Sequence, residues 1–235
     1  MASGRGLSSC PLVKFFCSLL AASTLLLCAC SAAPALTAPS STLMAGGALL
    51  VDGFDPNFYR AFVQNGFESP THLEPIRLLQ KPFRVYLRTQ DEAGRSIDAD
   101  TLSMTERTLG EAAPIWSANT VTIVEFVRGT STRENTPGWI TVKWSSSPTP
   151  DRCGRSTTGV DGGYIEFNAT GQCTCGGTAL VYPRLIRHEL GHAMGFFHTD
   201  SPDDVMYGRT IAPDACDVQP SARERLHARV AHQTP

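Results

Sequence analysis

Residues 187–200 read Arg187-His188-Glu189-Leu190-Gly191-His192-Ala193-Met194-Gly195-Phe196-Phe197-His198-Thr199-Asp200, and Met206 follows in Asp204-Val205-Met206-Tyr207. A helix advances about 100° per residue, so His188 and His192 project from one face, where two imidazoles can hold a single cation. Had the helix continued, His198 would fall on another face. The chain therefore has to turn before it, and Gly195 permits such a turn without steric cost. Three neutral imidazoles with an open fourth position describe a catalytic rather than a structural zinc site. Zinc held there lowers the pKa of a bound water to about 7 and polarises a substrate carbonyl. Glu189, directly after the first ligand, is placed to take the water's proton. The chemistry so implied is amide hydrolysis.

The string His-Glu-x-x-His-x-x-Gly-x-x-His with a downstream methionine resembles the metzincin clan of zinc endopeptidases. The resemblance implies His188, His192 and His198 as ligands of one catalytic Zn2+, Glu189 as general base and Met206 as the methionine of a turn beneath the metal. It implies an α+β fold in which a twisted, mainly parallel sheet with one antiparallel edge strand packs on the active-site helix, with the methionine turn and a C-terminal helix after it. A protein or peptide substrate would lie extended along a sheet edge, and the chain is expected to be a monomer. Gly162-Gly163-Tyr164-Ile165-Glu166-Phe167-Asn168 looks like the strand that precedes the zinc helix in the matrixin branch. It departs where matrixins hold a second, structural zinc and calcium: Glu166 replaces a histidine and Asn168 an aspartate. The second zinc is therefore not carried over, and calcium stays without support. Thr199 does not match the residue that marks the well-known branches at that place. Where some branches carry a zinc-touching tyrosine, this chain has Gly208. Arg152-Cys153-Gly154 resembles the inhibitory cysteine motif of matrixin propeptides, but it lies inside the catalytic domain and lacks the flanking pattern, so that reading is rejected.

The chain has 235 residues, 42% of them hydrophobic and 18% charged, with a formal net charge of −2. That is ordinary for a globular protein and offers no basic patch for nucleic acid. Residues 1–29 carry Arg5 and Lys14 but no acid, and the apolar run Phe15 to Leu27 is too short to span a bilayer comfortably. This reads as a secretory signal peptide. Leu27-Cys28-Ala29-Cys30-Ser31 resembles a bacterial lipoprotein cleavage box with Cys30 as the lipid-bearing residue, which makes a cell-envelope lipoprotein the favoured reading. The alternative is ordinary cleavage between Ala29 and Ala35 and a freely secreted protein. Any membrane contact would run through an N-terminal lipid anchor. Residues 30–48, rich in Ala, Ser, Pro and Thr and without charge, read as a tether.

Residues 49–81 form an N-terminal extension, either a collar on the catalytic domain or part of a propeptide, with a helix expected over Pro56 to Gln64. His72 reads as a surface loop residue. The catalytic domain is placed at 82–235. Phe83 to Thr89, Val121 to Val127 and Trp139 to Trp144 read as strands, and Asp100 to Ser117 as a helix that Pro114 disturbs in its last turn. Pro183 opens the zinc helix, and the capping box Ser221-Ala222-Arg223-Glu224 opens a final helix on which His227 and His232 read as surface positions. With Cys30 set aside, Cys153, Cys173, Cys175 and Cys216 make an even set in an exported protein, which predicts two disulfides of three possible connectivities. The one-residue spacing of Cys173 and Cys175 disfavours their bonding each other. A second function also fits an exported chain of this kind: a catalytically silent lipoprotein that uses the scaffold for protein binding. The intact set of Glu189 and three histidines weighs against it, since a binding module needs no base.

Overall fold

In the strand β3 (Phe83–Arg88), Phe83, Val85 and Leu87 point into the core, and Tyr86 between them is buried as well. The computed structural model describes residues 42–43, 49–146, 152–168, 175, 181–209 and 215–233. The chain divides into two units, Met1–Ser40 and Ser41–Pro235, and every described residue belongs to the second. The leader, Cys30 and Cys173 lie outside the described residues.

Before β3 come a short antiparallel pair, β1 (Thr42–Leu43) with β2 (Leu49–Leu50), and the helix α1 (Pro56–Gln64). After β3 follow α2 (Ala99–Trp116), β4 (Ile123–Gly129), β5 (Trp139–Ser145), β6 (Gly154–Ser156) and β7 (Tyr164–Asn168). The chain closes with α3 (Pro183–Met194) and α4 (Ala222–Gln233). The sheet order is β4-β3-β5-β7-β6; the first four strands are parallel, and the edge strand β6 runs antiparallel to β7. The expected architecture, a mainly parallel sheet with one antiparallel edge strand backing a helix, is the one observed.

The helices stop and start where the local chemistry directs. Asp55 caps α1, its carboxylate accepting from the Asn57 and Phe58 backbone N–H groups, with Pro56 in the first turn. Asp98 caps α2 through the Thr101 N–H. That helix runs past Pro114 to Trp116. Helices α2 and α3 pack on each other and close the sheet face built from Phe83, Val85, Leu87, Ile140, Val142, Trp144, Ile165 and Phe167. Trp116 is fully buried between them, its indole N–H donating to the Arg187 carbonyl at 2.9 Å.

The opposite sheet face holds a charged arrangement. Glu166 is buried, accepts two hydrogen bonds from the Arg155 guanidinium at 2.8 and 3.0 Å, and pairs with Lys143 at 3.4 Å. Arginine and lysine thus balance the buried acid. Asn168 donates through Nδ2 to the Arg152 carbonyl at 3.2 Å.

One expectation is corrected. His227 is 0% exposed. Its ring stacks on Phe54 at 5.1 Å and meets Phe58 edge-on at 4.7 Å, and its Nε2 accepts from the Asp55 N–H at 2.9 Å. The helix period places it on the face that α1 covers, and that cover, coming from the far end of the chain, is invisible to local spacing. His232 is also partly buried, against Phe196.

The described cysteines are all bonded. Cys175 pairs with Cys216, tying the segment before α3 to the one before α4. Cys153 is disulfide-bonded as well. Among the described helices none is long and apolar enough to cross a membrane.

Candidate metal centre and active site

The turn at the end of α3 assembles the site. Gly195 adopts φ 111°, the left-handed region, and its N–H donates back to the His192 carbonyl at 2.8 Å while the Phe196 N–H reaches the Gly191 carbonyl at 3.0 Å. These two bonds form a Schellman termination. The reversal carries His198 back over the face from which His188 and His192 project. A Cβ on Gly195 would also collide with the Arg77 carbonyl, so the position is glycine for two independent reasons.

The three Nε2 atoms converge. His198 Nε2 lies 3.1 Å from His192 Nε2 and 3.3 Å from His188 Nε2. Among the described residues these three histidines are the one cluster of histidine, cysteine and carboxylate groups suited to a metal ion. Each Nδ1 faces an oxygen: His188 the Val205 carbonyl at 2.8 Å, His192 the Phe196 carbonyl at 2.8 Å, and His198 the Glu68 carboxylate at 2.6 Å. Carbonyl and carboxylate oxygens only accept, so the proton of each neutral ring sits on Nδ1 and each Nε2 presents a lone pair. Three lone pairs then point at one another with no donor among them, an arrangement that a cation between them satisfies. Burial, then the neighbouring His198, hold the His188 pKa down to about 4, and burial likewise sets His192 well below its ordinary value, so both rings are neutral and free to offer a lone pair.

Glu189 is 3% exposed. Burial pushes its carboxyl up to about 8, against the lowering effect of a hydrogen bond from Ser156. That Ser156 hydroxyl stands 2.7 Å from Glu189 Oε2 and 2.9 Å from the Glu189 carbonyl. The carboxylate lies over Gly154, where a Cβ would stand 2.7 Å from Cδ and 2.8 Å from Cγ of Glu189. Strand β6 therefore shapes the seat of the acid, with one glycine giving room and one serine giving a donor.

Met206 is fully buried against α3, its sulfur filling the place a Cβ on Gly191 would take. The turn that carries it is held from α4. Glu224 accepts from the Met206 N–H at 2.8 Å, the Val205 N–H at 3.1 Å and the Ser221 N–H at 2.6 Å. The Ser221 hydroxyl answers by accepting from the Glu224 N–H at 3.1 Å, completing the capping box. Arg184 and Arg223 hold the same turn through the Pro202 carbonyl and the Asp204 carboxylate. Gly208 packs on His198, a Cβ there falling 2.7 Å from the ring Cγ. Any side chain at the position read as a departure would press on the ligand itself.

Of the residues singled out from sequence, the Nε2 atoms of His188, His192 and His198 meet at one point, Glu189 lies on the helix that carries the first two, and the Met206 sulfur packs against Gly191 of that helix. His72 is exposed and takes no part. Glu68, Gly154 and Ser156 carried no sequence signal, because no periodicity or spacing links them to the motif. For Glu224 the capping box was legible, though not the turn it holds.

No protein-family model matches the chain. Among solved structures it is similar to metalloproteinase-II from Bacteroides fragilis, with a TM-score of 0.41 and 11% sequence identity over 66% of this chain and 54% of that one. The chain thus spans about half the length of that protein.

Proposed function

We propose that this protein is an exported zinc-dependent endopeptidase that hydrolyses peptide bonds of extracellular or cell-envelope proteins. The observation that carries the reading is the meeting of three histidine Nε2 lone pairs whose Nδ1 atoms are all engaged. His188, His192 and His198 would hold the metal, which when bound supplies an acidified water and polarises a carbonyl. Zinc suits an all-imidazole set better than the hard, oxygen-preferring cations do.

The chain's own residues do the rest. Glu189 takes a proton from the attacking water and returns it to the leaving amine. Ser156 and Gly154 hold that carboxylate in one orientation. The carbonyls of Val205 and Phe196 keep two ligand rings in a single tautomer. The disulfide Cys175–Cys216 suits an oxidising compartment. Anchoring through a lipid on Cys30 extends this reading, and a mass measurement of the mature N-terminus separates it from simple secretion.

The test is metal-dependent proteolysis. Protein stripped with a strong chelator loses casein cleavage and regains it at about one zinc per chain. A chain that binds zinc in that ratio yet leaves casein and a broad peptide library intact is the catalytically silent binding module instead.

A further inference from the structure

Two of the three ligand rings are oriented by backbone carbonyls, but His198 is oriented by a side chain. Its Nδ1 meets Glu68 Oε1 at 2.6 Å across 130 residues of sequence. Glu68 belongs to the segment before β3. The backbone around it is tightly wound: Asn65 ends α1 with φ 58°, the Gly66 N–H reaches the Arg60 carbonyl and the Ser69 N–H the Asn65 carbonyl, both at 2.9 Å. The same segment is joined to the turn after α3. The Phe197 N–H donates to the Phe62 carbonyl at 2.8 Å, the Leu79 N–H to the Met194 carbonyl at 3.1 Å, and Phe62 stacks on Phe196 at 4.5 Å. The carboxylate is thus delivered to His198 by a braced piece of chain, and its side chain is 51% exposed, so its removal empties no core.

We propose that Glu68 is a positioning residue of the metal centre. Its carboxylate accepts the Nδ1 proton of His198, fixes that tautomer and ring angle, and makes Nε2 a better donor to the metal. The extension at 49–81 is on this account a working part of the site rather than a propeptide to be discarded. The inference rests on the zinc reading above for the presence of a metal.

The experiment compares the full chain with Glu68→Ala and Glu68→Gln, measuring zinc affinity by competition with a chromophoric chelator and recording the visible spectrum of the cobalt-substituted protein. Glu68→Ala is expected to weaken zinc binding about 10- to 100-fold and to shift the cobalt bands. Glu68→Gln, which keeps an amide oxygen as acceptor, should lose less than the alanine variant. The metal-free alanine variant should melt with the wild type; if it melts early, the glutamine variant decides, and wild-type affinity there overturns the proposal. Equal affinity and equal spectra in all three proteins overturn it as well while leaving the peptidase reading in place. A wild-type chain that takes up no zinc overturns both.

Discussion

Gly154 and Ser156 decide where the carboxylate of Glu189 can lie, and each yields a prediction. In Gly154→Ala the new methyl group meets the Glu189 side chain at under 3 Å on several atoms. Either the strand or the acid must shift. Overpacking of this kind costs about 1–3 kcal/mol, and thermal melts should show it together with a loss of casein cleavage. Ser156→Ala is gentler. It removes one hydrogen bond and leaves the packing intact, a loss of about 0.5–1.5 kcal/mol. Should that bond serve mainly to orient the base, kcat falls at least about tenfold while zinc content and KM stay unchanged. The sequence announced the three converging histidines and Glu189 beside them because their spacing on one helix and one turn is a local matter. It was silent on Ser156, Gly154 and Glu68, which meet the motif through β6 and through a segment more than a hundred positions away.

At the scale of elements, the end of α3 is the critical one. Gly195→Ala forces a non-glycine residue into φ 111° and drives its Cβ into the Arg77 carbonyl. The backbone conformation alone costs about 1–3 kcal/mol, so the melting temperature should fall by several degrees. Gly191 tests which of two effects wins. In an ordinary helix interior alanine is favoured over glycine by up to about 1 kcal/mol. Here the added methyl meets the Met206 sulfur and lies 3.2 Å from Trp116 Cζ2, both residues fully buried. Packing should outweigh propensity, and Gly191→Ala should destabilise in a melt; a stabilised variant would show that the methionine turn yields easily. Helices α1 to α4 and strands β3 to β5 were readable because each shows its own periodicity, cap or proline, and β7 through the family resemblance alone. Strand β6 was not, since three residues carry no alternation to read and its pairing with β7 supplies the order. The burial of His227 was hidden for a related reason: α4 shows its own period but not that α1 lies across it.

For the whole molecule, the sheet order β4-β3-β5-β7-β6 was not legible, because no local pattern says which strands become neighbours; the family resemblance supplied only a mainly parallel sheet with one antiparallel edge strand. A covalent link holds this arrangement, and the proposed metal would add a second. The Cys175–Cys216 bond closes a loop with a sequence separation of 41, which in the chain-entropy account corresponds to about 4 kcal/mol. Reduction should therefore lower the melting temperature markedly, and a Cys216→Ser variant should reproduce most of that loss. On the proposed function, zinc would add stability by binding the folded state alone, about 4 kcal/mol at a thousandfold excess over its dissociation constant. Chelation should lower the melting temperature and added zinc restore it. The central claim, a three-histidine metal site with Glu189 as the base, meets its most direct test in the Glu189→Gln protein, with zinc and casein hydrolysis measured on one sample. The account predicts a full complement of zinc and cleavage reduced by several orders of magnitude. Zinc retained with wild-type cleavage would contradict it, because the base would then lie elsewhere.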